Sequence, residues 1–438
     1  MTRKTTKNNP RFAQIARPLK IVVEGVGDVI KNYYLPALEA LRNKLQGRRE
    51  IQVTFADKSE FWRSDPRLAS KMQSIIDFLR SWGANYLDKS DPTDLAKYQV
   101  LEADVVIIAT PDFTHVEVAE EWLRRQPRPE QIFIEKPLAD SLNAARRLFG
   151  ISGPSDDGIL AFDHYRARLL PSRDQMSALL GFWGKGLRHF TFYFLEDHSG
   201  ADPHYPAAAT TGRDGAIENE QRVRTLNQGV ILDVMPHVIA ILAHFAQVES
   251  LLVTRVRVGQ YAGVDGDPDK RTEIDKETFA EIGFVCRDYA RNQVEGTVYL
   301  GKGVRGLESL GAEYDYNVKV LDIEGLNGNK TRFDLRSSGD GSSRAYLIDR
   351  NDDTQFEFAL NPKPYETFLE KVADGTYLDD QLALNVEVGM RILKAMEDMS
   401  YPIPDNVNIP TYPSGMSGGR QSLYLEEILG RLPILYGR

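Results

Sequence analysis

Lys136 directly follows an apolar run, Ile132-Phe133-Ile134, in the segment Glu135-Lys136-Pro137-Leu138. A strand buried on both faces reads as continuous Ile, Val and Phe, so this run is expected inside a parallel sheet. In an open α/β sheet the carboxyl ends of the strands line the ligand crevice. An amine placed there, on a backbone stiffened by Pro137, stands where a cofactor and a substrate could meet. The bland reading is a solvated strand-end lysine followed by a loop proline. His237 offers a second piece of chemistry. It follows Asp233 by four residues within Gly229-Val230-Ile231-Leu232-Asp233-Val234-Met235-Pro236-His237, which sets the two on one helical face. An imidazole with an ordinary pKa of ~6.5 suits a general base at neutral pH. A satisfied core histidine is its plain alternative. Phe162-Asp163-His164-Tyr165-Arg166-Ala167-Arg168 gathers a carboxylate, an imidazole, a phenol and two guanidiniums. Such a cluster suits a hydroxylated ligand, including an anionic one.

These groups need a scaffold. Leu19 to Val23 reads as a strand, followed by the turn Gly25-Val26-Gly27-Asp28-Val29 and a helix from about Ile30. Two glycines let the backbone pass close to a pyrophosphate, where free amides and the helix dipole attract anions. Ile30 stands where a third glycine is usual. Val53 to Ala56 forms a second strand ending on Asp57, whose carboxylate can accept from adenosine ribose hydroxyls and so favours NAD over NADP. Neighbouring Lys58 and Arg63 would soften that preference. Leu68 to Trp82 has helical spacing, Asp104 to Thr110 is strand-like, and Pro111 ends it; Thr110-Pro111 would border the nicotinamide side. A helix over His115 to Arg125 leads to the strand before Lys136. This β-α-β alternation predicts a doubly wound parallel sheet.

From about Phe190 the pattern changes. Strand-like stretches at His189 to Leu195, Leu251 to Gln260, Thr278 to Cys286 and Gln293 to Leu300 predict a large, mostly antiparallel sheet. One helix, Val230 to Ala246, interrupts them, and helical spacing returns from Pro364 to Met399. The expected organisation is a basic arm over 1–17, a Rossmann domain over 18–165, an α+β domain over 166–400 and an extended arm over 401–438. The fold class is thus α/β, an N-terminal Rossmann sheet joined to an α+β domain. Glu196 to Arg224 is expected to form part of a pocket wall.

Composition narrows the function. A chain of 438 residues, 42% hydrophobic and 27% charged, has the balance of a globular protein. Net charge of −9 argues against a nucleic-acid partner. No apolar run spans a bilayer, since Gly229 to Ala246 is broken by Asp233, Pro236, His237 and His244. The single cysteine, Cys286, precludes an internal disulfide, points to a reducing, cytoplasmic setting, and has no second Cys or His close by for zinc. The basic first seventeen residues read as a disordered arm, with a mitochondrial transit peptide as the alternative.

Together the segments resemble the Gfo/Idh/MocA oxidoreductases (glucose–fructose oxidoreductase and inositol dehydrogenase), whose signature is Glu-Lys-Pro plus an Asp-x-x-x-His helix. Local likeness to glucose-6-phosphate dehydrogenases is carried by Gly27-Asp28-Val29-Ile30-Lys31 with Leu35-Pro36-Ala37-Leu38. Ile134 to Leu142, Asp163-His164-Tyr165, Asp233-Val234-Met235 and Pro364-Tyr365-Glu366 add to it. The cofactor turn is one residue short of the latter pattern, Arg168 replaces a lysine, and the Asp-to-His spacing is that of inositol dehydrogenases. These departures put phosphosugar specificity in doubt. The resemblance implies hydride transfer between NAD or NADP and a hydroxyl carbon of a sugar, sugar phosphate or cyclitol. It gives His237 the proton, Lys136 the substrate oxygen, Asp163 the orientation of the imidazole and Asp233 a relay or binding role. Gly25, Gly27, Asp28, Val29, Asp57, Thr110, Pro111, Glu135, Lys136 and Pro137 would border the cofactor. His164, Tyr165 and Arg168 would grip the substrate. A homodimer or homotetramer is expected. Two rivals keep the same motifs: a glycosidase that oxidises its sugar transiently with bound NAD, and a nucleotide sensor without catalysis.

Overall fold

The computed structural model describes residues 17–27, 29–46, 48–64, 66–136, 139, 144, 147–148, 159–162, 173–196, 229–261, 279–302, 306–307, 317–336, 344–349, 354–361 and 363–375. Four short pairs, 408–409, 412–413, 420–421 and 436–437, complete it. The chain divides into two compact units, Met1–Ala167 with Lys363–Ala383, and Arg168–Pro362 with Leu384–Arg438.

The first unit is built on β1 (Leu19–Glu24), β2 (Ile51–Asp57), β3 (Asn85–Asp88), β4 (Val105–Ile108), β5 (Gln131–Glu135) and β6 (Ile159–Phe162). All their pairings are parallel, in the order β3-β2-β1-β4-β5-β6, the arrangement of dinucleotide-binding sheets. Helices α1 (Leu35–Leu45), α2 (Pro66–Ser81), α3 (Pro92–Gln99) and α4 (His115–Leu123) make the crossovers. Ile21, Val23, Val53, Phe55, Val105, Ile107 and Phe133 form one core with α1 and α2. On the other face, reached by the alternate residues, Tyr98 of α3 and Trp122 of α4 meet edge-on.

A helix from far downstream joins that first core. In α7 (Pro364–Ala373), Tyr365, Phe368, Leu369 and Val372 belong to the same cluster as β1 and α1. Phe368 meets Phe133 edge-on at 4.7 Å between ring centroids, and Lys44 Nζ lies 2.7 Å from Glu370 Oε2. Residues 363–375, expected in the second domain, therefore fold with the first. This helix ends at Ala373, where Gly375, at φ +64°, closes it in the left-handed conformation that favours glycine; the rest of the helical spacing expected to Met399 lies outside the described residues.

The second unit carries a ten-stranded sheet. Its strands include β7 (Leu187–Glu196), β8 (Ala246–Tyr261), β9 (Phe279–Asp288), β10 (Gln293–Lys302), β11 (Asn317–Gly325), β12 (Lys330–Asp334), β13 (Arg344–Ile348) and β14 (Thr354–Ala359). Pairing is antiparallel throughout this set except between β7 and β10. The parallel pair needs a crossover. Helix α5 (Arg173–Phe182) precedes β7, and α6 (Gly229–Leu242) lies against β8, β9 and β10. The helix expected to reach Ala246 stops four residues sooner, at Leu242, and β8 begins at Ala246.

Candidate functional site

The carboxyl edge of the parallel sheet gathers several of the residues expected at the cofactor. Glu24 pairs with Ile108 and Ile108 with Ile134, so the ends of β1, β4 and β5 lie side by side. Strand spacing puts β1 and β5 about 10 Å apart, with the Thr110-Pro111 loop between them.

Gly25 turns with φ +100°, and a Cβ there would lie 2.6 Å from Ala109 O. Its amide donates to Ala56 O at 2.8 Å, while Ala109 N donates to Glu24 O at 2.9 Å. The turn is thus laced to β2 and β4, and the first position admits only glycine. At Gly27 a Cβ would meet nothing within 4 Å. That glycine leaves open space beside the backbone, which is what a pyrophosphate at a helix start requires. The chain then winds one wide π-turn, Ile30–Tyr34, before α1. Ile30, in place of a third glycine, is buried, and Val29 is partly exposed at the rim.

Asp57 closes β2 as expected, but it is turned inward. Its Oδ1 accepts from Lys58 N at 2.9 Å and its Oδ2 from the Trp62 indole at 3.1 Å. Burial raises its pKa above the ordinary carboxylate range, against these two bonds and nearby Lys89. Beside it Asp88, which ends β3, accepts from Ser59 Oγ at 2.6 Å, from Ser90 N at 2.9 Å and from Arg63 at 2.6 Å. Desolvation opposes its charge, yet these donors together hold its carboxyl below the usual range. Arg63 is therefore engaged by Asp88. His115 is buried at the start of α4, with Nε2 2.8 Å from Thr110 O; Thr114 Oγ1 lies 2.8 Å from Thr110 Oγ1. Both brace the Thr110-Pro111 loop.

Glu135 ends β5 buried, and Lys136 follows half-buried. Tyr34 of the π-turn donates its hydroxyl to Glu135 Oε1 at 2.7 Å. A second set of residues had gone unassigned in the sequence. Glu24 is fully buried, with Lys89 Nζ 2.6 Å from its Oε2. Its Oε1 accepts from Tyr98 OH at 2.6 Å and from the Trp122 indole at 2.7 Å. Burial, then the Glu24 charge, pushes the Tyr98 phenol up. The signal available was a glutamate ending the apolar strand Ile21-Val22-Val23.

In the second unit His237 lies in α6, 2% exposed, with its ring stacked 5.8 Å from that of Phe194. Lys319 Nζ lies 4.9 Å from the same phenylalanine ring and 2.7 Å from Glu196 Oε1. Pro236 interrupts the helical hydrogen bonds immediately before the imidazole. Asp233 is one turn earlier in α6, with its side chain outside the described residues. Asp28, Pro137, Asp163, His164, Tyr165 and Arg168 also lie outside them, as does most of the Glu196 to Arg224 segment.

Comparison with known proteins agrees with this geometry. Residues 19–152 match the family model GFO_IDH_MocA, described as an oxidoreductase family with an NAD-binding Rossmann fold. No curated protein matches. Among solved structures, the chain is similar to KijD10, a 3-ketoreductase from Actinomadura kijaniata, in complex with NADP and TDP-benzene. Identity is 15% and the TM-score 0.55, over 86% of this chain and 97% of that one. A levoglucosan dehydrogenase bound to NADH and levoglucosan is 16% identical with a TM-score of 0.57, over 87% and 97%. A Gfo/Idh/MocA oxidoreductase from Vibrio cholerae gives 13% and 0.52, over 87% and 98%. At such identities the structures establish the fold. Residues 19–152 are thus similar to the NAD-binding Rossmann domain of the Gfo/Idh/MocA oxidoreductases, the family that the motifs resemble.

Proposed function

We propose that the protein transfers hydride between a nicotinamide cofactor and a hydroxyl carbon of a sugar, sugar phosphate or cyclitol. The observation that carries this reading is the edge of the parallel sheet. There a turn with open space at Gly27 shares a border with the strand that delivers Glu135 and Lys136. The turn suits the pyrophosphate; Gly25, Val29, Thr110, Pro111, Glu135 and the neighbouring Asp28 and Pro137 complete the cofactor's surroundings. When bound, the nicotinamide accepts or returns the hydride.

The chain's own residues supply the rest. Lys136 holds the substrate oxygen and stabilises its developing negative charge. His237 takes the hydroxyl proton, with Asp163 steadying the imidazolium and Asp233 in relay or binding. His164, Tyr165 and Arg168 bind the substrate's other hydroxyls or a phosphate, and the Glu196 to Arg224 segment forms part of the pocket wall. NAD is the proposed cofactor and NADP the alternative. A carboxylate ending β2 is the feature that favours NAD, but both Asp57 oxygens already accept from Lys58 N and the Trp62 indole, so this support rests on its place at the strand end alone. Support for a sugar comes from the neighbours, whose bound molecules include levoglucosan and a TDP derivative. Among the described residues no helix is long and apolar enough to cross a membrane. A cytoplasmic homodimer or homotetramer completes the proposal, and light scattering tests the assembly.

The test is a panel of sugars, sugar phosphates and cyclitols with NAD and NADP, read as absorbance of the reduced nicotinamide. His237→Ala should lower turnover by about two to four orders of magnitude, the range for losing acid–base help. Lys136→Ala should lower turnover and weaken substrate binding together. Near-normal turnover in the His237 variant rejects the assignment. Glycoside cleavage with no net nicotinamide reduction would instead indicate elimination after transient oxidation.

A further inference from the structure

Tyr34 links two parts of the first unit that are 101 residues apart in sequence. It closes the π-turn that follows the glycine turn, and it is fully buried while its neighbour Tyr33 is 48% exposed. Its hydroxyl bonds a carboxylate oxygen of Glu135, the residue before Lys136. A phenol donating to a buried carboxylate makes a charge-assisted bond, stronger and more directional than a neutral one. The ring is also fixed: it meets Tyr365 of α7 edge-on at 5.0 Å and 77°. Tyr365 stacks on Tyr33 at 5.0 Å and 14°, and Phe368 of the same helix meets Phe133 in β5 edge-on. Helix α7 thus holds both the start of α1 and the strand that ends in Glu135. π-turns inside helices recur at functional positions.

We propose that Tyr34 is a positioning residue that transmits nucleotide seating at the glycine turn to the Glu135–Lys136 strand end. A phosphate bound to the amides around Gly27 restrains the π-turn. Through the phenol, that restraint reaches Glu135 and fixes the backbone that carries the Lys136 amine. The proposal rests on the dehydrogenase reading for the part Lys136 plays. The mechanical link itself does not.

Tyr34→Phe keeps the ring and its contact with Tyr365 and deletes only the hydroxyl. In the full-length chain, dissociation constants for NAD and NADP should stay within about threefold, while kcat falls about 10- to 100-fold through misplacement of the amine. Glu135→Gln keeps an acceptor oxygen but removes its charge. If Tyr34 acts through Glu135, the double variant loses no more kcat than the worse single one. Hydrogen exchange gives a readout without turnover. With NAD present, amides at 131–136 should exchange faster in Tyr34→Phe than in the parent, with 25–31 equally protected in both. Unchanged kcat and exchange would overturn the proposal. So would additive losses, or a loss of nucleotide affinity together with a lowered melting temperature, which would make Tyr34 a folding residue. If the parent protein oxidises no compound in the panel, the dehydrogenase reading fails, and the exchange experiment alone still decides the link.

Discussion

The two glycines of the cofactor turn should respond to the same substitution in opposite ways. Alanine at Gly25 must adopt φ +100° and place its Cβ 2.6 Å from the Ala109 carbonyl oxygen. The backbone conformation alone costs roughly 1–2 kcal/mol, and pushing the ends of β1 and β4 apart adds a similar amount, about 2–4 kcal/mol in all. For a unit of this size that is a fall in melting temperature of roughly 5–15 °C. Alanine at Gly27 meets nothing within 4 Å, so the fold should be unaffected or slightly stabilised, within about 1 kcal/mol. Its methyl group, however, occupies the space a pyrophosphate would use. Losing one charge-assisted bond to phosphate, about 1.5–3 kcal/mol, weakens nucleotide binding roughly 10- to 150-fold. The assay pairs thermal melts with fluorescence titration by NAD and NADP for both variants. A Gly27→Ala protein that binds both nucleotides within threefold of the parent would refute the placement of the cofactor on this turn. A Gly25→Ala protein as stable as the parent would refute the steric argument.

The buried pair of Glu24 and Lys89 makes a second test. Glu24→Leu or Lys89→Met alone leaves a lone buried charge and should cost about 3–5 kcal/mol in urea unfolding. The double variant should cost no more than Glu24→Leu alone, because the remaining loss is the acceptor of Tyr98 and Trp122; additive costs would contradict this. Asp57 predicts a pH dependence with a definite sign. Its folded value is raised, so its favourable contribution is present below the unfolded value of ~3.9 and is lost as pH rises through the folded one. Asp57→Asn should therefore gain stability relative to the parent as pH rises from about 4 to 7, measured as urea midpoints. A difference independent of pH would count against the burial argument. Tyr365→Ala removes the ring that contacts Tyr33 and Tyr34 and should destabilise the first unit by about 3–5 kcal/mol. Loss confined to the second unit in hydrogen exchange would reject the assignment of α7.

The parallel sheet was legible because its strands are buried on both faces and therefore read as apolar runs. Ile132-Phe133-Ile134 and Val105-Val106-Ile107-Ile108 carry this signal, and both are strands where expected. β3 was missed because Asn85-Tyr86-Leu87-Asp88 is short and half polar. α3 was missed despite a readable start, Asp91-Pro92, in which the Asp91 side chain accepts from Thr93 N and Asp94 N. β11 to β14 escaped because polar residues alternate through them: Asp322 of β11 pairs with Arg332 of β12, whose guanidinium holds the Asp322 carboxylate. A strand with one polar face resembles a loop until its partner is known.

The site divides along the same line. Gly25, Gly27, Asp57 and Lys136 stand out as candidates because their types are unusual where a buried strand ends, and each lies at such an end. Tyr34 carried no such mark, since a tyrosine early in an amphipathic helix is equally at home in a core. Its role depends on Glu135, and that pairing exists only when β1 and β5 are brought to one edge by the order β1-β4-β5. The same holds for Glu24, which meets Lys89 across 65 positions of chain. Helix α7 extends the argument, because the ring that holds Tyr34 comes from a segment that sequence order assigns to the other domain. A candidate for chemistry can be proposed from its type and its place at a strand end. A residue that positions another is defined by contact, and contacts between distant segments follow from topology.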